Sequence, residues 1–128
     1  MQAFSSQNVF GTTLETCGTD PVTGFFRDGC CNTGHDDRGI HTVCARVTRE
    51  FLEYSAAQGN DLTTGNSAMG FRGLSPGDTW CLCAGRWLEA HKAGVAPGIF
   101  LGATHEETLA VIPLEVLQEY ALDHSTHS

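Results

Sequence analysis

Cysteine and histidine are the residue types in this 128-residue sequence whose chemistry stands out, with six of each. The sharpest pattern is the string Cys81-Leu82-Cys83. Side chains two residues apart in a strand point to the same face, and two neighbouring thiolates suit zinc, which takes about four ligands in a tetrahedron. A disulfide between these two cysteines is unfavourable, because a bridge needs its Cβ atoms roughly 4 Å apart and a twisted dihedral. Further ligands have to come from elsewhere in the fold, and the candidates are Cys44, His41, Cys31 and Cys17.

A second string, His41-Thr-Val-Cys44, has ligand spacing only in a helix, where positions i and i+3 share a face. The β-branched residues around it favour a strand instead, which turns the two side chains to opposite faces. No Cys-x-x-Cys occurs in the sequence, although zinc sites commonly use that spacing. The metal candidates, with zinc as the expected ion, are Cys44, Cys81, Cys83 and His41.

Two other interpretations of the cysteines stay open. Free cysteine is among the most buried residue types, so packing in the core explains these residues without any chemistry. A reactive thiol needs a nearby cation or helix N-terminus that stabilises its thiolate. Arg27 precedes the Cys30-Cys31 pair, and His105 follows a predicted helix cap. For a thiol enzyme, the catalytic candidates are Cys31, Asp28, Arg27 and His105.

Other polar strings carry weaker signals. His35-Asp36-Asp37 lacks the spaced carboxylates of a calcium loop, so a solvated turn is expected there. Arg27-Asp28 is expected to be an exposed turn pair with little effect on stability. The sequence has no phosphate-binding loop, dinucleotide fingerprint, His-Glu-x-x-His or Gly-x-Ser-x-Gly motif, so the mechanisms tied to those motifs are unsupported.

The composition describes an acidic globular domain. Its 7 basic and 15 acidic side chains give a net charge of −8, which argues against nucleic acid and membrane surfaces as partners. No stretch of about 18 apolar residues and no signal peptide are visible, so we expect a cytoplasmic protein. In a reducing compartment, the cysteines are expected as free thiols, metal ligands or redox groups rather than as a fixed disulfide framework.

Turn formers and apolar repeats predict the order of the elements. Turn dipeptides crowd residues 11–39, so the N-terminal third is expected to be loops. Beyond it the sequence predicts a strand at 40–47 and then a helix that is capped by Thr48 and ends near Gly59. A strand at 80–83, a helix to Lys92 and a strand at 99–101 follow. The last two elements are a helix that begins with a capping box at 104–107 and a helix that begins at Pro113.

These elements indicate the fold class α+β. We expect a single compact domain with a small sheet of short strands and three to four helices. The domain is expected to span residues 8–122, between disordered tails at 1–7 and 123–128.

A set of longer strings resembles a known family. In chain order they are Thr19-Asp-Pro-Val-Thr-Gly24, Arg27-Asp-Gly-Cys-Cys31, His41-Thr-Val-Cys44, Gly59-Asn-Asp-Leu62, Pro76-Gly-Asp-Thr-Trp-Cys-Leu-Cys83, Arg86-Trp87 and Ala103-Thr-His-Glu106. From about Asn8 to Ala121 they resemble the small bacterial proteins grouped as domain of unknown function 2237. The resemblance implies no established activity, but it does imply a set of positions to test: Asp20, Arg27, Asp28, Cys31, His41, Cys44, Asn60, Asp61, Cys81, Cys83, Arg86 and His105.

Three hypotheses about function follow from the sequence. The leading one is a cytoplasmic protein with a site centred on cysteine and histidine that binds zinc. A second is a non-catalytic module that meets a protein partner through the loop at 60–75, with its cysteines used only for packing. A third is a thiol-dependent enzyme.

Overall fold

The computed structural model describes residues 6–19, 23–24, 28–34, 37, 40–64 and 73–123. It confirms the predicted fold class, because a small antiparallel sheet packs with three α-helices. In chain order the elements are β1 (His41–Arg46), α1 (Arg49–Ala57), β2 (Thr79–Cys83), α2 (Ala84–Lys92), β3 (Gly98–Ile99) and α3 (Leu114–Glu119), with 3₁₀ turns at Leu101–Ala103 and Glu106–Ala110. No helix within the described ranges is long and apolar enough to cross a membrane.

Strand β1 forms where the sequence predicts a strand, at 40–47. It is the central strand of the sheet. The strand order is β2-β1-β3, and both pairs are antiparallel. Val43 belongs to the main apolar core, whereas its neighbour Cys44 belongs to a second, smaller cluster, as the alternation of side chains in a strand requires. One irregularity interrupts the β1–β2 ladder between His41 and Val43, and beyond it His41 lies opposite Cys83.

Helix α1 forms where the sequence predicts it. The hydroxyl of Thr48 accepts a hydrogen bond from the backbone N–H of Phe51 at 3.1 Å, which satisfies one of the free donors of the first turn. Phe51 and Leu52 are buried in the core. Gly59 follows the helix with a φ of +91°, a left-handed conformation that glycine adopts without steric cost.

Helix α2 starts directly after β2, and Trp87 anchors it in the core. The indole is fully buried, and its Nε1 donates to the carbonyl of Pro97 at 3.0 Å. The ring of Tyr120 meets the indole edge-on, with the ring centroids 5.0 Å apart. The ring of His91 stacks on the indole, with the centroids 5.4 Å apart. The contacts of Trp87 with Pro97 and Tyr120 hold α2 against the core.

The capping box predicted at 104–107 does not form. Thr104 is fully buried, and its hydroxyl donates to the carbonyl of Phe100 at 2.9 Å. The same hydroxyl accepts from the backbone N–H of Cys44 at 3.1 Å, so it does not cap the turn that follows. His105 caps the next turn instead, because its Nδ1 accepts from the backbone N–H of Glu107 at 3.0 Å. That turn is a 3₁₀ helix rather than the predicted α-helix.

The strand predicted at 99–101 is shorter than expected. Strand β3 ends at Ile99, and Leu101 already begins a 3₁₀ turn. The carboxylate of Asp123, where we expected a tail to begin, accepts from the N–H groups of Leu101 and Gly102 at 2.8 Å each. This carboxylate satisfies the free donors at the start of the turn, as a helix cap does.

The N-terminal third is loop, as predicted. Among residues 6–34, those that the structure describes form isolated bridges but no helix or strand. Two segments of this region are held together by the N–H groups of Cys17 and Gly18, which both donate to the carbonyl of Gly29, at 2.7 and 3.1 Å. Gly29 has a φ of +85°, and a Cβ there would lie 3.1 Å from the carbonyl oxygen of Gly18. Glycine therefore permits both the conformation and the close approach.

Candidate functional site

Four of the six cysteines form two disulfides, Cys17–Cys44 and Cys31–Cys81. The expectation of free thiols in place of a disulfide framework is therefore wrong for these four. Cys44 and Cys81 lie opposite each other on β1 and β2, so both bridges connect the sheet to the loop-rich N-terminal third. The pairing depends on the register of the two strands, which spacing along the sequence does not reveal.

The predicted metal candidates separate into two groups. Cys44 and Cys81 are bridged, whereas His41 and Cys83 form a pair of their own. Three cysteine sulfurs do lie within 4.8 Å of one another, close enough to hold a metal ion, and these belong to Cys17, Cys31 and Cys81. Within the described residues, the group of three close ligand atoms is thus found at the bridged cysteines and not at the pair.

Cys83 is a free, partly exposed thiol at the start of helix α2. It occupies the N-cap position, where its side chain makes no capping hydrogen bond. The first N–H groups of a helix have no partner within the helix and carry a partial positive charge. Such an environment stabilises a thiolate.

The imidazole of His41 connects Cys83 to a carboxylate. The side chain of Cys83 is a hydrogen-bond partner of the ring, and the two residues are partners across the β1–β2 ladder. Nδ1 of His41 lies 2.5 Å from Oδ1 of Asp37, which leaves Nε2 for the sulfur. Thiol, imidazole and carboxylate therefore follow one another in the order that a cysteine nucleophile, its proton acceptor and an orienting group require.

Asp37 is buried, and both of its carboxylate oxygens form hydrogen bonds. The prediction of a solvated turn at 35–37 is therefore wrong at this residue. Its side chain has no exposed surface. Oδ2 accepts from the backbone N–H of His41 at 2.8 Å and from the hydroxyl of Thr33 at 3.1 Å, while Oδ1 meets the imidazole. A buried carboxylate needs such partners, and here they fix both the backbone and the ring of His41. The other two residues of the predicted turn lie outside the described part of the chain.

The residue before His41 has a strained backbone. Ile40 has a φ of +52°, a conformation that β-branched residues rarely adopt and that costs about 1–3 kcal/mol. Its carbonyl accepts from the N–H groups of Thr42 at 2.8 Å and of Ala84, the first residue of α2, at 3.0 Å. These bonds link the turn before His41 to the helix that begins beside Cys83. The strained residue therefore lies next to the point where the side chains of His41 and Cys83 meet.

The surroundings of His41 favour its protonated form. Its pKa is raised from 6.5 to about 9, first because the ring hydrogen-bonds the side chain of Cys83, and further by the hydrogen bond and the charge of Asp37. Burial acts in the opposite direction and lowers the pKa. At neutral pH the ring is therefore an imidazolium between a sulfur and a carboxylate, and an imidazolium beside a sulfur stabilises the thiolate.

A proton NMR titration of His41 is expected to give a midpoint near pH 9 in the wild-type protein. Cys83→Ser should move the midpoint towards the ordinary 6.5, because the largest cause of the raised pKa is removed. Cys30→Ser is the matched control and should leave it unchanged. Since the folded pKa lies above the ordinary value, protonation of His41 stabilises the fold fully below about pH 6.5, and this contribution is lost as the pH rises through about 9. A wild-type midpoint near 6.5 would contradict this description of the pair.

A comparison with protein families identifies the chain. The family described as "Uncharacterized protein conserved in bacteria (DUF2237)" matches residues 7–121. The chain belongs to this family. The match includes all three residues of the site, Asp37, His41 and Cys83, and it confirms the resemblance drawn from the sequence strings. Among curated proteins, none matches the chain.

Two of the catalytic candidates predicted from the sequence, Cys31 and Asp28, have structural roles. Cys31 is bridged and fully buried. Asp28 supports its own turn, since Oδ1 accepts from the backbone N–H of Cys30 at 3.0 Å. Arg27 and Asp20 lie outside the described residues. The structure bridges Cys31, whereas Cys83, a metal candidate from the sequence, keeps a free thiol.

His105 shares a pocket with the site. The pocket has a volume of about 430 Å³ and is lined by Thr33, Gly34, Asp37, Ile40, His105 and Glu107. Nδ1 of His105 accepts a backbone hydrogen bond, and burial lowers the pKa of this histidine. At neutral pH its ring is therefore uncharged, with the proton on Nε2, so it can donate one hydrogen bond but adds no charge.

Asn60 and Arg86, two further DUF2237-like positions, support the end of helix α1. The hydroxyl of Ser55 donates to the carbonyl of Asn60 at 2.7 Å. The guanidinium of Arg86 donates to the carbonyl of Gln58 at 3.3 Å. The last carbonyls of a helix have no partner within it, so the bond from Arg86 stabilises the helix end, whereas the bond to Asn60 holds the turn that follows it.

The loop at 60–75, the predicted partner surface, is described only at its two ends. At the first end, Asp61 accepts hydrogen bonds from the hydroxyls of Thr64 and Thr63, and these bonds lower the pKa of Asp61 to about 2. Such contacts are typical of a local turn. A protein partner at this loop stays a prediction.

Proposed function

We propose that this protein is a thiol-dependent enzyme of the acyl-transfer class, in which Cys83 is the nucleophile, His41 moves the proton and Asp37 positions His41. The observation that carries the proposal is the series of contacts from a free thiol through an imidazole to a buried carboxylate. The N-cap position of Cys83 adds support, because activated cysteines are commonly found at helix N-termini.

The reaction begins with the thiolate of Cys83 and the imidazolium of His41. The sulfur attacks the carbonyl carbon of an ester, thioester or amide, a C–S bond forms, and the carbonyl π pair moves to oxygen. When this adduct collapses, the bond to the leaving group breaks and the departing atom takes the proton from His41. Water then attacks the acyl carbon while His41 takes one of its protons, the C–S bond breaks, and the products are the free acid and the restored thiolate–imidazolium pair.

The first turn of α2 suits the negative charge that develops on the carbonyl oxygen. The N–H of Ala84 is used by the carbonyl of Ile40, but the first-turn donors that follow, Gly85 and Arg86, have no partner within the helix. A Cβ at Gly85 would meet no atom within 4 Å, so the approach to this turn is open. Backbone donors at such a position stabilise an oxyanion.

The role of His41 distinguishes acyl transfer from thiol–disulfide exchange. Exchange proceeds through a mixed disulfide that a second thiol must resolve. The neighbouring cysteine on the strand, Cys81, is bridged to Cys31 and offers no such thiol. A histidine held by a carboxylate is instead what proton transfer to a leaving group requires.

Trapping of an acyl-enzyme tests the proposal. The untagged protein is mixed with p-nitrophenyl acetate, nitrophenolate release is followed, and the acetylated peptide is identified by mass spectrometry. We expect a burst of nitrophenolate and one acetyl group on Cys83. Cys83→Ser should lose the acetyl group yet keep the fold, because serine is a favoured N-cap residue. Cys30→Ser should behave as wild type, and wild-type acetylation of Cys30 as fast as that of Cys83 would overturn the proposal.

A further inference from the structure

The cysteines outside the proposed thiol site form one buried cluster. Cys31, Cys44 and Cys81 are at most 2% exposed, and Cys17 and Phe100 pack against them. The sulfurs of Cys17, Cys31 and Cys81 lie within 4.8 Å of one another, and the sulfur of Cys44 is bonded to that of Cys17. The two bridges therefore meet at one point, although cross-linking two loops to a sheet does not require them to touch.

This spacing of sulfurs is close to the ligand geometry of zinc. Zn–S bonds of about 2.3 Å in a tetrahedron place neighbouring sulfurs roughly 3.8 Å apart. The sulfurs of Cys17, Cys31 and Cys81 lie within 4.8 Å of one another, and the sulfurs joined in the two bridges have to move apart to the tetrahedral distance once they are reduced. Cys44 and Cys81 are partners across the sheet, which fixes their positions. Cys17 and Cys31 lie on loops, whose backbone can adjust.

We propose that Cys17, Cys31, Cys44 and Cys81 form a redox-dependent zinc site, with two disulfides in the oxidised protein and a zinc tetrathiolate in the reduced protein. Four protein thiolates in a buried cluster leave no open coordination position, which is typical of structural rather than catalytic zinc. Two of these ligands differ from those of the metal set predicted from the sequence.

The conversion balances with a dithiol as the reductant. Each protein disulfide takes two electrons and two protons from one dithiol, which leaves as a cyclic disulfide. Two dithiols therefore yield the four protein thiols. One Zn²⁺ then displaces up to four protons as the thiols become thiolates. Oxidation by a disulfide-class acceptor reverses these steps, releases the zinc and restores both S–S bonds.

The zinc form holds the N-terminal loops in place where disulfides do not persist, as in a reducing compartment. Cys31 lies two residues before Thr33, whose hydroxyl donates to the carboxylate of Asp37. A cross-link at Cys31, through sulfur or through zinc, therefore holds the loop that supports Asp37 in both redox states.

The zinc content of reduced and oxidised protein tests the proposal. The full chain is reduced with dithiothreitol, desalted without oxygen, dialysed against dilute zinc and then against zinc-free buffer, and measured by elemental analysis. We expect about one zinc per reduced chain and none in oxidised chain treated in the same way. A reduced chain that retains no zinc, whether folded or not, would overturn the proposal.

Two variants assign the ligands and separate this proposal from that of the thiol enzyme. Cys83→Ser removes a thiol outside the cluster and should retain the zinc; its loss would place the metal elsewhere. Cys17→Ala combined with Cys44→Ala keeps the other bridge in the oxidised protein. After reduction, this double variant should bind zinc at least about a hundredfold more weakly, because two of the four ligands are gone. Unchanged zinc affinity in the double variant would refute the ligand set.

Discussion

Replacing His41 with asparagine should slow the alkylation of Cys83 by iodoacetamide at pH 7 about tenfold or more. An unassisted thiol, with an ordinary pKa of about 8.5, is only roughly 3% thiolate at that pH. A positively charged partner beside the sulfur raises this reactivity. The ring of His41, with its pKa of about 9, supplies the positive charge that asparagine lacks. Peptide-resolved mass spectrometry measures the rates.

Cys30 serves as the control within the same molecule. It is a free and partly exposed cysteine, and its sulfur lies 3.9 Å from the hydroxyl of Thr16, so its alkylation rate should be the same in the variant and the wild type. Asp37→Asn should give an intermediate effect, because an amide oxygen still accepts the Nδ1 proton but carries no charge. Unchanged alkylation of Cys83 in both variants would contradict the role assigned to His41.

Removing either disulfide is expected to lower the free energy of unfolding by several kcal/mol. The bridges join residues separated by 27 and 50 positions, for which the chain-entropy model gives about 3.5 and about 4 kcal/mol. Cys31→Ala with Cys81→Ala should therefore destabilise more than Cys17→Ala with Cys44→Ala. The larger effect also reaches the site, since Cys31 anchors the loop that supports Asp37. Urea denaturation of the oxidised proteins measures both values.

The matched control for the disulfide variants is Cys30→Ala. It removes a cysteine of the same region that forms no bridge, so its urea midpoint should stay within error of the wild type. In the variant without the Cys31–Cys81 bridge, Cys83 should also be alkylated more slowly at pH 7. Wild-type stability in both double variants would show that the bridges do not restrain the loops.

The elements that hold the site were predictable because their signals are local. The side chain of Thr48 and the left-handed Gly59 mark the two ends of α1 in the sequence as in the structure. The extended run at 80–83 and the apolar repeat that follows it predicted the junction of β2 and α2. The position of Cys83 at a helix N-terminus follows from that junction alone.

The partners of Cys83 were not predictable because they depend on contacts between elements. Asp37 is a buried carboxylate only because Thr33 and both the backbone and ring of His41 donate to it. Its polar neighbours in the sequence indicate a solvated turn, and the single available signal was its spacing of four residues from His41. The ladder irregularity that sets His41 opposite Cys83 likewise has no local signature.

The two bridges were missed for a related reason. Their sheet-side members, Cys44 and Cys81, become neighbours through the register of β1 and β2, which alternation within one strand does not determine. Their loop-side members, Cys17 and Cys31, are brought together by backbone hydrogen bonds around Gly29. Composition alone favoured free thiols, because it places the chain below the cysteine density of disulfide-rich scaffolds.

The most direct test of the thiol site is the ratio of the alkylation rates of Cys83 and Cys30 in the wild-type protein at pH 6. Both cysteines are free and partly exposed, so differences in access have little influence on the ratio. The imidazole of His41 is a hydrogen-bond partner of the Cys83 side chain, whereas the sulfur of Cys30 lies beside the hydroxyl of Thr16, and a neighbouring cation is what raises the reactivity of a thiol. Cys83 is expected to react at least about ten times faster than Cys30. Equal rates would contradict it.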